Sequence, residues 1–156
     1  MPYLVLAFAI GCIIPPQAAI NAQLRVHLEG STLLASFMNF AVGAVALGLL
    51  AALGEGKLRA LAGVASAPPW QLTGGLLGAL FVFGTTLLAP HIGIAKMLAL
   101  IIAGQVLVSL VLDHQGWIGL AMREATPMRV GGALLVIAGA VMVNYDQLFG
   151  DGAGTR

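Results

Sequence analysis

Long stretches without a charged residue divide this sequence into segments that can cross a lipid bilayer. Five such stretches lie at residues 1–24, 30–54, 60–95, 97–112 and 130–145. A membrane-spanning helix needs about 20 mostly apolar residues, because the hydrocarbon core is about 30 Å thick. The apolar–polar alternation of membrane barrel strands is absent from these segments. The pattern therefore predicts an all-α integral membrane protein with five transmembrane helices, at residues 3–24, 32–53, 70–90, 94–112 and 128–145.

Composition supports this interpretation. The sequence is 60% hydrophobic and only 8% charged, whereas a soluble domain carries about 25% charged residues. We expect residues 1–145 to form a single five-helix transmembrane domain and residues 146–156, which are polar and glycine-rich, to be a disordered tail. A net charge of +1 gives no reason to expect a nucleic-acid partner.

The first predicted helix contains two adjacent prolines, Pro15 and Pro16, and a polar face of Gln17, Asn21 and Arg25 at four-residue spacing. Proline removes a backbone donor and clashes with the preceding turn, so we expect a kink there. In lipid, the freed carbonyl groups must be satisfied by protein or by water in a cavity. We expect the polar face of this helix to line such a cavity. The alternative is that its side chains form hydrogen bonds with other helices.

The fourth predicted helix repeats this arrangement with Gln105, Ser109 and Asp113 on one face. Lys96 lies near its other end, where it either reaches toward the headgroups or forms an ion pair or an anion contact within a cavity. In the second helix, Asn39 follows Ser36 by three residues, which places both on one side.

Glycines mark the packing surfaces. In the last helix, Gly132 and Gly139 lie seven residues apart, beside Ala133 and Ala140. Small residues at such spacing let helices approach closely in lipid. Because this helix has few polar atoms, we interpret it as an assembly helix rather than a cavity wall.

The basic residues are almost evenly divided between the two sides of the predicted topology, whereas orientation normally follows an excess of lysine and arginine. The N-terminal side has a slight excess of basic residues, which favours a cytoplasmic N-terminus. The alternative is that the chain inserts in both orientations or pairs with an oppositely oriented partner. The N-terminal side has Lys57, Arg59, Arg123 and Arg129, and the opposite side has Arg25, Lys96 and Arg156.

Signatures of catalysis and of metal binding are missing from the sequence. The histidines, His27, His91 and His114, are scattered at helix boundaries, and no nucleophile, phosphate-loop or zinc-protease motif is present. Cys12 is the single cysteine and is expected to be a small packing residue. We therefore predict neither an enzyme nor a cofactor.

Several motifs together resemble the YdcZ-like family, which comprises half-size, five-helix members of the drug/metabolite transporter superfamily. They are QAAINAQLR (17–25), NFAVG (39–43), GGLLGALFV (74–82), PHIG (90–93) and GQVLVSLVLDHQG (104–116). The last helix also resembles the dimer-forming helix of the small multidrug resistance proteins. The resemblance implies a multi-pass protein of the bacterial inner membrane that works as an antiparallel pair, either a homodimer or a pair with a five-helix paralogue, similar to a ten-helix inverted-repeat transporter. The small multidrug resistance proteins carry a glutamate in their first helix. This sequence has no counterpart to that glutamate, because Gln17 and Asn21 occupy the comparable face.

The sequence thus favours a secondary transporter that moves a small polar, neutral or zwitterionic, or amphipathic metabolite by alternating access, with its site at the dimer midplane. The alternative is a non-transporting membrane subunit that stabilises or regulates a partner. The predicted substrate-binding residues are Gln17, Asn21, Asn39, Gln105 and Ser109. The predicted charged rim is Arg25, Lys96 and Asp113; Pro15 and Pro16 form the kink, and Gly132 and Gly139 form the dimer interface.

Overall fold

The computed structural model describes residues 2–55, 58–119 and 121–149. Within these ranges the regular structure is helical and contains no strand, which confirms the predicted all-α class. The α-helices are α1 (Pro2–His27), α2 (Thr32–Leu50), α3 (Thr73–Ile92), α4 (Ile94–Gln115), α5 (Pro127–Val143) and α6 (Tyr145–Phe149). Shorter turns are a π-helix at Ala51–Glu55 and 3₁₀-helices at Leu58–Ser66, Pro69–Leu72 and Trp117–Gly119.

Four of the described helical segments are long and apolar enough to cross a membrane: Pro2–His27, Thr32–Gly54, Pro69–Ile92 and Ile94–Gln115. Helix α5 has 17 residues, which is the lower limit of the usual spanning length of about 17–25. Large apolar side chains cover the outer surface; Leu33 is 70% exposed and Leu135 is 75% exposed. Such a surface is unfavourable in water and is suited to hydrocarbon. A fifth span over α5 stays a prediction.

Helix α1 continues to His27, beyond the predicted end at residue 24. Charge ends the apolar window there, but the helix itself ends only where the chain turns at Gly30, which has a φ of 80° that favours glycine. The Gly30 amide donates to the Arg25 carbonyl oxygen at 3.0 Å. Ser31 then caps α2 by accepting a hydrogen bond from the Leu34 amide at 3.2 Å.

The ends of α4 and α5 also follow local chemistry. Helix α4 extends three residues beyond the predicted end at 112 and stops at Gly116, whose left-handed backbone lets its amide donate to the Leu112 carbonyl oxygen. Helix α5 begins at Pro127, a residue favoured in the first helical turn, and Thr126 caps it by accepting from the Arg129 amide at 3.4 Å.

The chain divides into two compact units, Met1–His91 and Ile92–Arg156. In the first unit α1 packs against α2, and in the second α4 packs against α5. The single domain over 1–145 stays a prediction. Of the predicted tail, residues 146–149 belong to α6, and residues 150–156 lie outside the described residues, as does Lys57.

Candidate solute-binding site

The side chains of Gln17 on α1 and Asn39 on α2 line one groove in the first unit. The groove has a volume of about 330 Å³, which is within the range of about 300–1,000 Å³ typical of small-molecule sites. We call it the polar groove. Its lining residues are Gln17, Asn39, Phe40, Gly43, Ala44, Leu47 and Val82.

Both carboxamides lie far from the nearer ends of their helices along the helix axis. Gln17 precedes the end of α1 at His27 by ten residues, and Asn39 follows the start of α2 at Thr32 by seven residues. At a rise of 1.5 Å per residue, these separations are about 15 Å and about 10 Å. Because the half-thickness of the hydrocarbon core is about 15 Å, these separations predict a depth near the middle of the membrane for the two neutral donor–acceptor groups.

Asn21 and Arg25 continue the same side of α1 toward its end. Asn21 is only 4% exposed and does not line the polar groove. Arg25 is half-buried, and its Nε atom is buried without a hydrogen-bond partner among the described residues. This side of α1 thus faces protein over at least one turn beyond Gln17, whereas the side chain of Gln17 itself is accessible.

Buried hydroxyl groups on α3 were not predicted as site residues. Thr85 Oγ1 donates to the Val82 carbonyl oxygen at 3.1 Å. Thr86 is fully buried, and no described residue gives its Oγ1 a hydrogen-bond partner. The carbonyl four residues before Thr86 is also that of Val82, which already accepts from Thr85; a threonine in a helix commonly bonds to this carbonyl. Thr86 therefore retains an unused hydroxyl group beside a residue that lines the polar groove.

The polar residues predicted on α4 are accessible in the second unit. Gln105 and Ser109 are both exposed. Ser109 Oγ donates to the Val106 carbonyl oxygen of its own helix at 3.0 Å, so the hydroxyl hydrogen is already used. The participation of Gln105 and Ser109 in the same site as Gln17 stays a prediction.

Asp113 forms an ion pair with Arg129 at the connection between α4 and α5. The Arg129 guanidinium also donates to the carbonyl oxygens of Arg123 and Glu124, each at 3.1 Å. In addition, the Arg123 amide donates to the Asp113 backbone carbonyl oxygen at 2.7 Å. We call these four residues the α4–α5 clasp. The predicted rim of Arg25, Lys96 and Asp113 stays a prediction, and the structure gives Asp113 a partner, Arg129, that the sequence did not indicate.

Asn144 is a second residue whose importance the sequence did not indicate. It is 1% exposed, and its Nδ2 donates to the Ala140 carbonyl oxygen at 2.8 Å and to that of Lys96 at 3.3 Å. The second bond joins the end of α5 to the first turn of α4. An asparagine directly after the apolar run GAVMV was the available signal, because a carboxamide in that position needs a partner.

Pro15 and Pro16 lie inside α1, which continues through them from Pro2 to His27. Without amide hydrogens, they leave the carbonyls of Gly11 and Cys12 without their helical donors. Gly11 and Cys12 are both exposed. The continuous helix is compatible with a hinge at this position, and the kink stays a prediction.

Gly132 and Gly139 are exposed on α5, whereas Ala133 and Ala140 are buried. No atom lies within 4 Å of where a Cβ would stand on either glycine. The alanines therefore account for packing within the described chain, and the glycine side of α5 is open. Its role in a dimer stays a prediction.

Metal ligands do not converge anywhere in the described ranges: no three histidine, cysteine, aspartate or glutamate side chains there are placed to bind an ion.

Comparison with known proteins identifies the family. A family model described as "Putative inner membrane exporter, YdcZ" matches residues 2–142. The chain belongs to the YdcZ family. Searches of curated proteins and of solved structures gave no match. Membership confirms the resemblance found in the sequence and, together with the four membrane-length helices, confirms a multi-pass protein of the inner membrane. The YdcZ family is one of transporters rather than enzymes.

Proposed function

We propose that this YdcZ-family protein is a secondary transporter of a small neutral or zwitterionic solute, polar or amphipathic in character. The observation that supports this most directly is the polar groove, where Gln17 and Asn39 from two helices line one accessible space. We infer from their distances to the helix ends that this space lies near mid-membrane depth. Transporters commonly bind their substrates at this depth.

The lining of the polar groove favours a solute without net charge. Its two carboxamides offer donors and acceptors but no countercharge. The remaining lining residues, such as Phe40, Leu47 and Val82, are apolar. A bare ion at this depth would lose its hydration without an opposite charge to replace it. A zwitterion or a neutral polar group can satisfy both carboxamides at a smaller desolvation cost.

Alternating access is proposed to arise from two antiparallel protomers, either two copies of this chain or a pair with a five-helix paralogue. The nearly equal numbers of basic residues on the two predicted sides are consistent with both orientations. The open glycine side of α5, at Gly132 and Gly139, is suited to a close helix–helix contact.

Counterflow in proteoliposomes tests the proposal, with radiolabelled N-butyl-N,N-dimethylglycine as a zwitterionic probe. We expect Gln17→Leu and Asn39→Leu to abolish probe uptake while the oligomeric mass stays unchanged. Gln23→Leu is the matched control, because Gln23 is exposed on the same helix but does not line the polar groove. Normal uptake by the Gln17→Leu protein would refute the site. Loss of assembly instead of uptake would favour the non-transporting subunit.

A further inference from the structure

A second groove, between α2 and α3, is larger than the polar groove and almost entirely apolar. Its volume is about 590 Å³. We call it the apolar groove. Its wall includes Ser36, Phe37 and Phe40 on α2 and Ala79, Leu80 and Phe83 on α3.

The polar group in this wall is already engaged. Ser36 Oγ donates to the Thr32 carbonyl oxygen of its own helix at 2.9 Å, so its hydrogen is not available to a ligand. The remaining wall consists of aromatic and aliphatic side chains. The groove is therefore suited to an alkyl or aryl group and offers no free hydrogen-bond donor to a polar one.

Phe40 belongs to the lining of both grooves. Its ring lies against α3 at Gly78, where a Cβ would stand 3.5 Å from the Phe40 Cζ atom. The two grooves therefore adjoin at one aromatic ring, with carboxamides on one side and an apolar wall on the other.

We propose that the two grooves form one bipartite site for an amphipathic solute, whose polar head binds between Gln17 and Asn39 and whose alkyl chain lies past Phe40 in the apolar groove. This inference rests on the proposed function and specifies its substrate class. The Phe40 ring marks the boundary between the two grooves, so the junction of the polar head and the alkyl chain lies beside this ring.

A membrane phospholipid fits this arrangement less well than such a solute does. A phospholipid keeps its headgroup at the membrane surface, whereas Gln17 lies about 15 Å from the end of α1 along the helix axis. The adjoining polar groove thus favours a molecule whose polar head can enter the membrane interior, with a chain that continues into the apolar groove.

The inference is tested by measuring how a homologous series of N-alkyl-N,N-dimethylglycines, from ethyl to octyl, binds to the protein in nanodiscs. Binding to empty nanodiscs is subtracted. We expect affinity to rise about twofold to fourfold per added methylene, since burial of a methylene from water contributes roughly this factor. Ala79→Phe fills the apolar groove and is expected to remove the gain in affinity from longer alkyl chains. Ala46→Phe is the control, because Ala46 is exposed on α2 and lines neither groove.

The outcomes separate this inference from the proposed function. Binding that needs Gln17 but does not depend on chain length would overturn the bipartite site alone. If affinity still rises with chain length in the Gln17→Leu protein, the occupant of the apolar groove is lipid-like. If the Ala79→Phe protein loses its dimer mass, the occupant is a second copy of the chain. Either result overturns the inference. Absence of binding for every member of the series would overturn the inference and the proposed zwitterion site together.

Discussion

The buried carboxamide of Asn144 donates from Nδ2 to the backbone carbonyl oxygen of Lys96, 3.3 Å away. This bond joins the end of α5 to the first turn of α4, the two helices that pack together in the second unit. Hydrogen bonds between membrane helices contribute about 0.6 kcal/mol on average and up to about 1.7 kcal/mol. Asn144 is fully buried, and no described residue gives its Oδ1 a hydrogen-bond partner. The cost of that unpaired acceptor offsets part of the contribution of the Nδ2 bond.

Asn144→Leu is therefore expected to lower the free energy of unfolding by no more than the average of about 0.6 kcal/mol, measured by denaturant titration in detergent. The same replacement at Gln147, which is exposed on α6, should have little effect. Equal stability of the Asn144→Leu and parent proteins would show that the bond between the two helices contributes nothing.

The α4–α5 clasp predicts coupling between Asp113 and Arg129. Their side chains are 29% and 36% exposed, so solvent screens the pair, and a double-mutant cycle with alanine should give a coupling of about 1 kcal/mol or less. The coupling should shrink in high salt. Arg129→Lys should restore only part of it, because lysine lacks the planar fork that also reaches the carbonyls of Arg123 and Glu124. Full rescue by lysine would contradict the clasp geometry.

Helix positions were predictable from the sequence because charge-free windows of spanning length have few other interpretations. The ends of the helices were less predictable. Helix α4 extends to Gln115 through Asp113 and His114, since a charged residue at the membrane boundary need not end a helix. Gly116, which adopts the left-handed conformation, was the better signal for the end of α4.

Replacing a proline in α1 should raise stability and slow transport. Pro16→Ala restores an amide hydrogen for the carbonyl of Cys12 and should raise the thermal midpoint while slowing probe counterflow. The control is Pro90→Ala, because Pro90 is exposed near the end of α3 and does not line either groove. Unchanged transport in a stabilised Pro16→Ala protein would show that no hinge motion at this proline limits the cycle.

The open glycine side of α5 predicts a dimer that large residues disrupt. Gly132→Leu and Gly139→Leu should each shift the protein from dimer to monomer, measured by mass photometry in nanodiscs. Because no atom lies within 4 Å of where a Cβ would stand at either position, the fold itself should persist. Gly75→Leu is the control, since Gly75 is equally open but lies on α3. A dimer that survives both α5 substitutions would place its interface elsewhere.

The candidate site was predictable only in part. Polar residues in an apolar helix are easily recognised, and the structure brings Gln17 and Asn39 together. The faces of nearly uniform apolar helices are harder to assign, because no polar stripe marks the outer side. For this reason the buried row of Val82, Thr85, Thr86 and Ala89 on α3 and the apolar groove beside it could not be derived from sequence spacing.

Water access to the polar groove tests the proposed solute site between Gln17 and Asn39 most directly. A single cysteine is introduced by Ala44→Cys in a Cys12→Ala background, which leaves Gln17 and Asn39 intact, and the protein is labelled in nanodiscs with a membrane-impermeant maleimide. Ala46→Cys, exposed on the same helix outside both grooves, serves as the control. We expect labelling at residue 44 but not at residue 46, and protection of residue 44 by N-butyl-N,N-dimethylglycine. Absence of labelling at residue 44, or labelling that the solute leaves unchanged, would contradict a solute site between Gln17 and Asn39.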